Sequence, residues 1–230
     1  MWNRQQVKEQ AKQIMKRNYW KMFVVTLIAS ILTGEKTTII ERVQDFTSNN
    51  LSYDSQPIVY SSNFELIFYS FISVASILGI LYTIFIGNVI VVGKNGYFIK
   101  NHNENPELGE VFKGFKGNYL NVVKIMFLMD LKTLLWLFLL IVPGVVKAYE
   151  YSMIPYLLAE NPNLSASQAF SLSKQMTTGQ KMDLFVLDLS FLGWIILGLI
   201  CCGIGILFVL PYPEATKAEV YLILKESVKI

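Results

Sequence analysis

Apolar residues along the chain gather into blocks separated by short polar stretches. The blocks are residues 22–33, 66–92, 126–142, 145–158, 184–200 and 206–224. Block 66–92 runs 27 residues without a charged side chain. As a helix rising about 1.5 Å per residue it would reach ~40 Å, more than the ~30 Å hydrocarbon core of a bilayer, so it must tilt or overhang. Block 126–142 stops at Pro143-Gly144, block 145–158 contains Pro155, and block 206–224 is interrupted by Pro211 and Pro213. This pattern predicts an all-α integral membrane protein with about six transmembrane segments.

The polar stretches carry their own signals. Residues 1–21 hold Arg4, Lys8, Lys12, Lys16, Arg17 and Lys21 against the single acid Glu9, with Val7, Ala11, Ile14 and Met15 at helical spacing. They predict a basic amphipathic helix on a membrane surface, followed by one polytopic domain over residues 22–230. A charged start before a short apolar block imitates a signal peptide, but no small-x-small site closes the block, so it is read as an uncleaved first helix entered through Tyr19 and Trp20. Residues 34–63 are polar; a surface helix is expected around Ile39, Ile40, Val43 and Phe46, and residues 93–117 are expected to form a polar connection. Ser165 followed by Gln168 predicts a capping box that opens a helix ending near Thr178.

Composition agrees with the pattern. Apolar residues make up 53% and charged residues 16% of 230 residues, where a soluble domain carries about 25% charged. A net charge of +3, with no aromatic-interleaved basic patch, gives no reason to expect nucleic acid. Placing the N-terminus in the cytoplasm puts 14 of the 20 basic residues on inner segments and only Lys36 and Arg42 outside. The positive-inside rule therefore predicts both termini in the cytoplasm, an even number of crossings and a multi-pass protein of the cell membrane. The basic inner face suits anionic phospholipid. A membrane-protein partner or a second copy of the chain would be a further partner.

Two stretches match at an offset of 58 residues. Phe127-Leu128-Met129-Asp130-Leu131, then Leu134 and Trp136, parallels Phe185-Val186-Leu187-Asp188-Leu189, then Leu192 and Trp194. Pro155 falls on Pro213 at the same offset. This predicts an internal repeat, roughly 116–160 and 174–218, each unit a helical hairpin preceded by an interfacial helix. A third echo pairs Lys16-Arg17-Asn18-Tyr19 with Lys116-Gly117-Asn118-Tyr119.

Within this frame Ile141-Val142-Pro143-Gly144, Tyr151-Ser152-Met153, Ala159-Glu160-Asn161-Pro162, Gly179, Asp188-Leu189-Ser190-Phe191, Gly193-Trp194 and Pro211-Tyr212 follow in order. The chain thereby resembles the bacterial integral membrane proteins of the domain of unknown function 975 family. The resemblance implies a polytopic bacterial membrane protein, often Gram-positive, and supplies no activity. The family is similar in plan to membrane domains attached to some glycerophosphodiesterases, whose catalytic domain has no counterpart here.

Asp130 and Asp188 are the candidate intramembrane polar site, with Lys132 and Lys147. A charged residue mid-helix costs about 2.5–3.5 kcal/mol on insertion scales, so each aspartate must be neutral, paired or beside a wet cavity. One reading is a proton or cation pathway between the repeats; the other is a structural pair with Lys132 or Lys147. Lys147 and Glu150, three apart, are expected to pair locally. Trp20, Trp136, Trp194 and Tyr151 are expected as interface anchors. His102 is read as a solvated loop residue, Cys201-Cys202 as small apolar residues at a helix end, and Asn50-Leu51-Ser52 as a chance sequon. No catalytic constellation, metal set or cofactor motif stands out. The expectation is a non-enzymatic envelope, lipid-interacting or immunity-type accessory factor. The alternatives are a transporter or permease component with a pathway between two parallel repeats and, third, a membrane-embedded enzyme.

Overall fold

The computed structural model describes residues 3–33, 62–200 and 204–228, and these are helical with no strand among them. The expected surface helix near Ile39–Phe46, the Asn50 sequon and Cys201-Cys202 lie outside the described residues.

Helix α1 (Arg4–Thr33) runs through the basic segment into the first apolar block. The two parts meet at Asn18, whose backbone leaves helical geometry (φ −132°, ψ 26°). The buried Asn18 amide donates to Asn101 Oδ1 at 2.7 Å, which anchors the kink. Beside it Arg17 donates to the carbonyls of Asn101 and Glu104. The apolar face expected to rest on a membrane is occupied by protein instead. Val7 and Ala11 are fully buried in a cluster with Phe191, Tyr221 and Leu224.

Block 66–92 forms α2 (Ser62–Tyr82), a π-helical stretch Thr83–Gly87, and α3 (Asn88–Lys100). Among the described residues one helix, Tyr69–Lys100, is long and apolar enough to cross a membrane, and 22% of its most apolar window is buried. The expected polar connection at residues 93–117 is therefore corrected. The helix continues to Lys100 because Lys94, Asn95, Tyr97 and Phe98 are all buried, and a 3-10 helix, Leu108–Phe115, packs back on α3. Glycines permit that packing. A β-carbon on Gly93 would stand 1.8 Å from the Val111 carbonyl oxygen, and one on Gly114 2.7 Å from that of Val89.

Helix α4 (Tyr119–Leu139) ends at Leu140, the one extended residue before α5 (Ile141–Tyr151). Pro143-Gly144 does not stop α4, as the sequence suggested; it lies in the first turn of α5, where a proline's missing N–H breaks no hydrogen bond. A β-carbon on Gly144 would stand 2.6 Å from Leu137 Cα, so the pair forms a tight helical hairpin. Next come α6 (Ile154–Glu160), α7 (Ala166–Thr177), α8 (Lys181–Ile200), α9 (Ile204–Val209) and α10 (Pro211–Val228). The Ser165 capping box opens α7: Gln168 N–H donates to Ser165 Oγ and Ser165 N–H to Gln168 Oε1.

Some helix boundaries keep the offset of 58 residues: it separates the start of the 3-10 helix, Leu108, from that of α7, Ala166, and the end of α5, Tyr151, from that of α9, Val209, while the starts of α4 and α8, Tyr119 and Lys181, lie 62 apart. In both units a proline, Pro155 or Pro213, lies in the first turn of the helix after the break. The polar Asn18, Asn118 and Gln180 precede Tyr19, Tyr119 and Lys181, where three long helical segments begin.

The segments after the breaks, α3, α6 and α10, form the centre. Tyr97, Tyr156, Leu157 and Tyr221 fill it, with Tyr156 stacked on Tyr221 at 5.2 Å. Three helical stretches leave large apolar side chains uncovered: Phe71 is 73% exposed and Phe138 92%, and Leu134, Ile141, Val142, Trp194 and Ile196 are exposed as well. Monomeric soluble proteins rarely expose apolar patches beyond a few hundred Å².

Candidate functional site

Ion pairs line the helices around a cavity of about 190 Å³ whose wall includes Lys94, Asn95, Tyr149, Asp188, Glu214 and Lys217. Lys94 of α3 donates to Glu214 Oε1 of α10 at 2.8 Å, and its side chain is only 5% exposed. Lys217, one turn along α10, reaches Asp188 Oδ1 at 3.0 Å. The other oxygen of Asp188 accepts from the Tyr149 hydroxyl at 3.0 Å, and the Tyr149 ring is held edge-on against Phe185. Two carboxylates face two ammonium groups, so the formal charges cancel. The energies differ. An exposed pair such as Lys217–Asp188 contributes about 0–1 kcal/mol, whereas breaking a buried one costs about 3–5 kcal/mol.

Asp130, which the sequence pattern aligns with Asp188, lies elsewhere. It lines a groove of about 550 Å³ between α2, α4, α5 and α6. Its carboxylate accepts from the amide of Asn88, the first residue after the π-helical stretch, at 2.7 Å. No lysine or arginine among the described residues pairs with it.

The four predicted polar residues are therefore not one site. Lys132 is two positions from Asp130, and residues at that spacing point to different helix faces; its ammonium group sits 3.8 Å from the centre of the Phe170 ring. Lys147 pairs with Glu150 at 2.7 Å, as expected, and lies over the Trp136 ring. Glu150 also takes Lys181, a partner that spacing could not reveal. Of the expected anchors, Trp20 is 68% exposed and Trp136 and Trp194 are exposed too. Tyr151 is corrected: it is buried, edge-on against Phe170 at 5.0 Å, because α7 folds over it.

His102 is also corrected. Its Nδ1 lies 2.9 Å from both carboxylate oxygens of Glu219, a buried residue of α10. At this end Tyr221 and Lys225 both donate to Glu160, and Lys100 and Lys113 both pair with Glu110. Burial raises the Glu110 carboxyl, but hydrogen bonds from Lys113 and Lys100 outweigh it and hold the group below its ordinary value. These pairs tie the 3-10 helix, α3, α6 and α10 together. Their chemistry is that of binding and positioning. Among the described residues no three His, Cys, Asp or Glu side chains stand close enough to hold a metal ion.

The residues missed in the sequence, Lys94, Glu214, Lys217 and Tyr149, had a faint signal. Lys94 follows the longest apolar block within two residues, and Glu214 and Lys217 interrupt the last one. Residues 137–227 match the model of the family described as protein of unknown function (DUF975), the family the motifs resemble. The matched segment contains Tyr149, Asp188, Glu214 and Lys217 and leaves out Asn88, Lys94 and Asp130. No curated protein and no solved structure matches the chain.

Proposed function

We propose, for a chain whose residues 137–227 carry the DUF975 signature, that it is a multi-pass bacterial cell-membrane protein with six membrane segments and both termini in the cytoplasm. It acts without catalysis, as an envelope factor that engages anionic lipid or as an immunity-type accessory. The observation that carries this reading is a segregation along the chain. Phe71, Phe138, Leu139 and Ile141 lie in helical stretches whose large apolar side chains are exposed, while the ion pairs of Lys100, Lys113, His102 and Lys225 fall in other stretches. Because the arm of α1 buries Val7 and Ala11 in protein, its exposed Lys12 and Lys16 remain for lipid headgroups, each contributing about 1 kcal/mol near an anionic surface. The test is the melting temperature of the detergent-solubilised chain with added phosphatidylglycerol or phosphatidylcholine. The phosphatidylglycerol arm should melt several degrees higher, and Lys12→Ala with Lys16→Ala should shrink the difference. Equal melting in both lipids contradicts the lipid role.

A second reading, a transporter or permease component, draws on the breaks in the returning helices. The π-helical stretch Thr83–Gly87 and the break between α5 and α6 flank the two polar sites, and interrupted helices are where transporters build substrate sites. Asp188→Asn separates the readings. Lost phenotype at normal abundance favours transport, lost abundance favours a structural pair, and retention of both removes Asp188 from any pathway.

A further inference from the structure

The two repeat-related aspartates have opposite electrostatic settings. Asp188 is neutralised by Lys217 and held by Tyr149. Asp130 has a neutral partner, Asn88, and no cationic one among the described residues. The nearest lysine in sequence, Lys132, is engaged with Phe170. Asp130 is exposed on the open side of its groove, and an ionisable group on an apolar helix face without a counter-ion is costly where that face meets lipid, and there is by default a sign of function.

The walls specify what would complete the site. The groove of about 550 Å³ is lined by Ile80, Ile84, Phe127, Leu134, Leu137 and Tyr151 around the carboxylate. That volume lies within the range of small-molecule pockets, about 300–1,000 Å³. Apolar side chains dominate its lining, Phe127 and Tyr151 are aromatic, and the fixed charge is negative. Aromatic faces and a carboxylate together favour a cation that is itself apolar and weakly hydrated. A metal ion would find one carboxylate and too few oxygens; a lipid phosphate would be repelled. Asn88 sets the carboxylate from the end of the π-helical stretch, a distortion that recurs at functional sites.

We propose that the Asp130 groove binds a monovalent organic cation with an apolar body, of the ammonium or phosphonium class, its charge against Asp130 and its body along Phe127 and Leu134. The inference rests on the reading of this face as membrane-embedded, adds a ligand class to it, and does not depend on the number of crossings.

Equilibrium dialysis of the full chain in detergent with radiolabelled tetraphenylphosphonium tests it. Saturable one-to-one binding is expected. Asp130→Asn should weaken it at least tenfold, and Asp188→Asn should leave it within about twofold. Leu134→Trp fills the groove from a wall residue that is itself exposed, so folding is retained; it should abolish binding with both charges intact. If Asp130→Asn does not accumulate, Leu134→Trp alone decides. No saturable binding, or equal binding by the parent chain and Leu134→Trp, overturns the proposal. Equal binding by the parent and Asp130→Asn also overturns it, because the groove would then take the cation for its greasiness alone.

Discussion

Replacing Gly93 by alanine is expected to remove most of the folded protein, whereas Gly96→Ala on the same helix is expected to be nearly silent. The added carbon at Gly93 would stand 1.8 Å from the Val111 carbonyl oxygen and 2.6 Å from its carbonyl carbon. Those atoms belong to the backbone of the 3-10 helix, which cannot turn aside as a side chain could. Relief requires separating α3 from the 3-10 helix, and that would expose Val111 and loosen the Lys100–Glu110–Lys113 cluster. Overpacking costs typically about 1–3 kcal/mol and more where backbone must move, against a total stability of about 5–15 kcal/mol. At Gly96 the nearest atom is Ala159 Cβ at 3.4 Å, an ordinary contact. Steady-state abundance in membranes and the melting temperature in detergent both read the difference. Comparable behaviour of the two variants would show that α3 and the 3-10 helix are not packed this way.

Lys94→Met is expected to have the next largest effect, up to about 3–5 kcal/mol, because it removes a buried ammonium group and leaves the partly buried Glu214 without that partner. The double variant Lys94→Met with Glu214→Leu should recover most of that loss. Both side chains are then apolar, and replacing a whole buried ion pair by packed apolar groups is often neutral or stabilising. A double variant as unstable as the single one would mean that Lys94 contributes through its stem packing on the cavity wall rather than through its charge. The measurement is the melting temperature of the four members of the cycle, parent, two singles and double, in one detergent.

Much of the helix layout was legible because it depends on local chemistry. Ser165 and Gln168 satisfy each other's backbone three residues apart, and Lys147 and Glu150 meet on one helix face, so both follow from spacing. What stayed hidden needed partners far along the chain. Lys94 at the end of an apolar block looks like a loop residue until Glu214, 120 positions later, makes its burial affordable. His102 looks solvated until Glu219 arrives from α10. Tyr151 has the composition of an interface anchor, yet α7 covers it with Phe170. The arm of α1 shows the same limit from the other side. A basic amphipathic face in sequence does not say whether its apolar stripe meets lipid or protein, and here Val7 and Ala11 meet Tyr221 and Leu224. The repeat was legible as a pattern, but the divergence of its two aspartates was not, since it depends on Lys217 and Asn88 and neither lies inside the repeated motif.

The central proposal is that the exposed apolar stretches lie in lipid and the ion-paired stretches face the cytoplasm. Single-cysteine labelling tests this most directly, with Cys201 and Cys202 replaced by serine and a membrane-impermeant maleimide applied to inside-out and right-side-out vesicles. Lys113→Cys and Lys174→Cys should react only in inside-out vesicles. Phe71→Cys and Phe138→Cys should stay unreacted from both sides until detergent is added, although they are among the most exposed apolar positions of the described residues. Reaction of Phe138→Cys in intact vesicles at the rate of Lys113→Cys would place that end in water and contradict the account.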